Sequence, residues 1–112
     1  MKLQPGKLLR LYISEGDEHE GRPLYEAIVA RCQDMNVAGF TVFRGLEGFG
    51  HSAQIHRPHL FAQDQPVVIT IIEKPEKTRE IVAALQQMAP AARIAVTDVE
   101  CMPILDSKPF RL

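Results

Sequence analysis

Six consecutive residues, Val67 to Ile72 (VVITII), contain a single polar side chain, Thr70. A run so short and so rich in β-branched residues reads as a strand, and successive side chains of a strand leave on opposite faces. Val67, Ile69 and Ile71 therefore point one way and Val68 and Ile72 the other, so both faces of this strand ask to be covered. Whatever the chain folds into must place this run inside a sheet and supply cover for two sides.

The remaining elements limit what that cover is. Leu9, Leu11 and Ile13 alternate with Arg10, Tyr12 and Ser14, which predicts a first strand over Lys7 to Ser14 with one buried face. A polar, acidic link with Glu15, Asp17, Glu18 and Glu20 reads as a solvated turn, with a ribose or a neighbouring subunit as other possible contacts for its carboxylates. Pro23 then opens a helix that runs to Asp34 and ends near Asn36, with Leu24, Ala27, Ile28 and Met35 on one face. Phe40 to Arg44 forms a second strand. After the apolar run, Pro75 opens a second helix over Pro75 to Met88, with Thr78, Ile81, Leu85 and Met88 spaced by three and four before Pro90. The final strand covers Ile94 to Cys101. Its apolar residues change phase between Val96 and Val99, which predicts a bulge or a change of partner near Asp98; an irregular tail follows from Pro103.

The order βαββαβ is that of an α+β, ferredoxin-like sandwich: an antiparallel sheet with both helices on one face, in one domain spanning residues 1–112. Two helices on one side leave the other face of the apolar strand open. A large apolar sheet face is unusual for a monomer, so the chain is expected to form a homo-oligomer built face to face.

Charge excludes some partners. Lys plus Arg number 13 against 14 Asp plus Glu, which gives no overall field for nucleic acid or an anionic membrane. No apolar run approaches the roughly 18 residues of a membrane span, and no targeting segment is evident. Cys32 and Cys101 sit singly in apolar patterns and read as buried free thiols, which fits the cytoplasm.

The segment most suited to act on something is GFTVFRGLEGFGHS, residues 39–52, where the second strand runs into a long loop. Gly45, Gly48 and Gly50 lack Cβ atoms where a backbone must turn sharply or approach a ligand, and free amides there can form an anion-binding concavity. The same glycines are also compatible with a loop that merely needs positive φ. Arg44 is placed to clamp a phosphate from the side or to pair with Glu47 or another acid. Phe49 can stack on a base or anchor the loop, Arg57 can fold over a ligand or stay solvated, and His51 follows the bend directly. With His56 and His59, His51 forms an H-x4-H-x2-H cluster that offers an alternative copper or zinc site of a metal-tolerance trimer, although it matches no structural zinc motif. No ordered nucleophile, base and acid set suggests an enzyme.

In this region the chain resembles the nitrogen regulatory PII proteins and, more closely, the PII-like family of unknown function. The PII pattern G-x-T-V-x-x-V-x-G-F-G-R-Q is met by Gly39, Thr41, Val42, Gly48, Phe49 and Gly50, with one extra residue between its halves. The opening LRLYISEGDEHEGRPLYEAIV and the segment GFTVFRGLEGFGHS look still more like the PII-like relatives, and the resemblance extends from Leu8 to about Met102.

That resemblance implies a homotrimer that binds adenine nucleotide in clefts between subunits, at the base of the loop after the second strand, and uses the loop to engage a partner protein such as a transporter or an enzyme. With the residue reading above, the ligand contacts expected are Arg44, Gly45, Gly48, Phe49, Gly50, His51 and Arg93. The glycine-rich, lysine-ending loop of PII proteins is replaced here by Ala89, Pro90, Ala91, Ala92 and Arg93, with Arg93 near the lysine's place. The arginines that follow the last PII strand have no counterpart in Met102 to Asp106. A ligand with fewer phosphates, AMP or ADP, is therefore expected in place of a magnesium-bound triphosphate. The loop is shorter than the PII effector loop and lacks its modified tyrosine, so uridylylation is not expected.

Overall fold

The computed structural model describes residues 2–45 and 65–104. The apolar run lies in β5 (Pro66–Glu73), the inner neighbour of β1 (Gln4–Ser14) in a four-stranded sheet. β4 (Phe40–Arg44) and β6 (Arg93–Cys101) form its edges, the strand order is β4-β5-β1-β6, and every neighbouring pair is antiparallel. The ferredoxin-like order expected from the sequence is thus the observed one.

Register explains the core. Leu9, Leu11 and Ile13 lie opposite Ile71, Ile69 and Val67, so one face of the two inner strands is a continuous apolar surface. Against it pack Leu24, Ile28 and Cys32 of α1 (Leu24–Asp34) and Ile81 and Leu85 of α2 (Pro75–Met88), in one cluster with the strand residues. Each fully buried aliphatic side chain of this kind contributes about 1.5–3 kcal/mol, and the shared cluster holds both helices on the same face. Pro75 begins α2 as expected, at the position where a missing backbone N–H costs nothing. α1 begins one residue later than expected, with Pro23 as its N-cap, and Asn36 follows its end at φ 54°.

Among the described residues, no helix packs on the other face of the sheet. Leu8 faces Ile72, Tyr12 faces Val68, and Val68 in turn faces Phe43, so the apolar residues form adjoining cross-strand pairs. Phe43, Ile72 and Tyr12 remain 54%, 46% and 38% exposed, which makes this an apolar surface without cover from the other described residues.

Four expectations need correction. The acidic link is a two-stranded hairpin, β2 (Glu18–His19) with β3 (Arg22–Pro23), turned by Glu20 and Gly21, both at positive φ. Two-residue hairpins favour such turns, but Glu-Gly is a weaker cue than Asn-Gly. There is neither a bulge nor a change of partner at Asp98: β1 and β6 pair without a register break from Gln4 opposite Cys101 to Tyr12 opposite Arg93. The change of apolar phase reflects an edge strand with little buried surface. β1 starts at Gln4, before Pro5 and Gly6, and a Cβ on Gly6 would come 2.8 Å from Cys101 Sγ. Cys101 itself is only part-buried, whereas Cys32 is buried as expected.

Candidate functional site

Of the residues singled out by the sequence, Arg44, Gly45 and Arg93 lie at one end of the sheet. There β1 ends at Ser14, β4 ends at Arg44, β5 begins at Pro66 and β6 begins at Arg93. Here the chain also leaves the sheet after Gly45 and returns to it at Gln65.

Hydrogen bonds fix this end tightly. The Gly45 amide donates to the Pro66 carbonyl at 2.7 Å, and a Cβ on Gly45 would come 2.7 Å from Pro66 Cγ. The bare Cα of Gly45 thus leaves room for the Pro66 ring, and its N–H is already used. The Glu15 amide donates to the Gln65 carbonyl at 2.8 Å, while the Asp17 carboxylate accepts from the Ser14 amide at 2.9 Å. The first acidic residues after β1 are therefore bound into the strand end, not solvated.

The Arg44 guanidinium donates to the carboxylate of Glu15, making the ion pair that the sequence left open between Glu47 and another acid. The partners differ in environment: the Arg44 side chain is 63% exposed and that of Glu15 only 15%. Glu15 Oε2 is buried and finds no hydrogen-bond partner among the described residues. Since β4 and β1 are both neighbours of β5, the pair spans two strand spacings, about 9–10 Å, across the point where β5 begins.

Arg93 lies elsewhere on the same end. Its guanidinium sits over the Tyr12 ring, 5.5 Å from the centroid, in a cation–π contact. Arg93 pairs with Tyr12 on the open face of the sheet, whereas Arg44 pairs with Val67 of the helix-covered side. On opposite edges and opposite faces, three strand spacings or about 14 Å apart, the two arginines are not brought together within one chain.

Gly48, Phe49, Gly50, His51, His56, Arg57 and His59 lie outside the described residues, and so does Glu47. Among the described residues no group of three or more His, Cys, Asp or Glu side chains is placed to hold a metal ion. Burial pushes the Cys32 thiol up from 9.0 to about 11, which keeps it protonated near neutrality.

Sequence reasoning missed Glu73. It is 1% exposed, and its two carboxylate oxygens accept the amides of Ala38 at 2.8 Å and Lys74 at 2.9 Å. The carboxylate joins the turn before β4 to the start of α2. A charged residue ending an apolar run was the available signal.

Residues 6–101 match the profile of the DUF190 family, described as Uncharacterized ACR. A UPF0166 protein of Aquifex aeolicus (strain VF5) is 33% identical over 88 residues, covering 77% of this chain and 84% of that relative. Among solved structures, CPII, a nitrogen regulatory PII-like protein from Thiomonas intermedia K12 bound to ADP, AMP and bicarbonate, aligns with a TM-score of 0.69 at 17% identity. That alignment covers 91% of this chain and 100% of CPII. A PII-like protein of Thermus thermophilus aligns with a TM-score of 0.66 at 20% identity, over 89% of this chain and 92% of its own. At such identities the likeness is one of fold, and the fold is PII-like. No helix among the described residues is long and apolar enough to cross a membrane.

Proposed function

This chain belongs to the DUF190 family, and we propose that it is a non-enzymatic, homotrimeric regulator that binds an adenine nucleotide, AMP or ADP, at the sheet end marked by Arg44. The observation that carries this reading is the fold shared along nearly the whole chain with a PII-like protein that holds ADP and AMP. The arginine at the end of β4 supports it, because a largely exposed guanidinium at a strand end suits a phosphate. Gly48, Phe49, Gly50 and His51, on the segment that follows, are the further residues assigned to the ligand.

Arg93 joins the same site only from a second subunit, since one chain holds the two arginines on opposite edges of its sheet. The uncovered face with Tyr12, Phe43 and Ile72 is assigned to contact with the other copies. Nucleotide binding would act on a partner protein, a transporter or an enzyme in the cytoplasm, through the 45–66 segment by favouring one of its pre-existing arrangements.

Calorimetric titration with AMP, ADP, ATP and cyclic AMP tests the proposal. Saturable binding of AMP or ADP, with no advantage for ATP and magnesium, is expected; no binding of any of the four refutes it.

A further inference from the structure

The Arg44 guanidinium proposed for the ligand already has an anion. Glu15 holds it from a position almost out of solvent, while most of the arginine side chain remains in water. Glu15 Oε2 has no hydrogen-bond donor among the described residues. Among the described residues the carboxylate therefore relies on Arg44 for its charge compensation, because a buried carboxylate without a cation is costly. Any second anion reaching Arg44 meets a fixed negative charge across the same guanidinium.

We infer that Glu15 is an internal competitor for the anion site, and that ligand affinity at Arg44 is set by exchange of one carboxylate for another anion. This deepens the function proposed above and rests on its assignment of Arg44 to the phosphate. Glu15 acts against each added negative charge, so it discriminates by phosphate number: a diphosphate is opposed more than a monophosphate. The exchange also has a mechanical side. The Glu15 amide is tied to Gln65 and the residue after Arg44 is tied to Pro66, so the ion pair braces the ends of β1 and β4 across the entry to β5. An anion that takes Arg44 removes this brace at the two points where the chain leaves and re-enters the sheet.

The test uses the full chain and titrates pyrophosphate, AMP and ADP into the unmodified protein, Glu15→Gln and Glu15→Asp. Glutamine removes the charge, and aspartate shortens the reach to Arg44. Each folded variant is expected to bind pyrophosphate and ADP about fivefold or more tightly than the unmodified protein, with a smaller gain for AMP. The gain should vanish when Arg44→Gln is added. Unchanged or weaker pyrophosphate binding in a folded variant, or none to any form, overturns the inference.

A measurement on the unmodified protein stands independently of how the variants fold. Saturating pyrophosphate should shift the carbon resonance of the Glu15 carboxylate, and a resonance that stays in place also overturns the inference. If pyrophosphate shows the expected gain and neither nucleotide binds, the competition by Glu15 stands and the nucleotide function falls.

Discussion

Glu73 shows how one buried charge can organise three segments. Its two oxygens satisfy two backbone amides, and Lys77 lies 4.0 Å from one of them while donating from its Nζ to the Asn36 carbonyl at 2.5 Å. Glu73→Gln turns one of the two acceptors into a donor facing a backbone N–H. It should cost about 1–3 kcal/mol, read as a lower urea midpoint with an unchanged slope; a change below about 0.5 kcal/mol would mean that the carboxylate is not what holds the turn. Cys32 gives a pH signature. Its folded thiol titrates near 11 against 9.0 ordinarily, so the folded state keeps a proton that the unfolded state loses. The contribution is complete below pH 9.0 and is lost as pH rises towards 11, a loss of roughly 2–3 kcal/mol. Cys32→Ala should show a flatter fall in melting temperature over this window than the unmodified protein, and parallel curves would contradict the assignment.

At the scale of elements, legibility followed burial. β1 was readable because Leu9, Leu11 and Ile13 all enter the core while the residues between them do not. α2 was readable because Pro75 marks its start and Ile81 and Leu85 are fully buried at helical spacing. β6 was misread near Asp98 because an edge strand with exposed Val96 and half-buried Val99 does not encode a face. The hairpin Glu18–Pro23 was missed because strands of two residues carry no alternation. Glu15 was misread for a different reason: its burial depends on Gln65 and Arg44, which approach only in the folded sheet. For β5 the reading was sound in one further respect, since its outward residues meet apolar neighbours on β1 and β4. Ile72→Asp places a charge in the middle of that face while leaving the helix-covered core intact. It should convert the assembly to monomers in sedimentation velocity with little change in helical content, and an intact assembly would show that this face is not the contact between copies.

For the whole molecule, the antiparallel PII-like sheet separates two tasks. Its helix-covered side supplies stability, and its open side and the end bearing Arg44 and Gly45 are assigned to assembly and ligand. The two arginines link these tasks, because a site using both Arg44 and Arg93 is complete only where two chains meet. Native mass spectrometry of the purified protein with ADP tests assembly and binding together. The account predicts three chains of 12.6 kDa each carrying ADP; a single chain that carries none would contradict it.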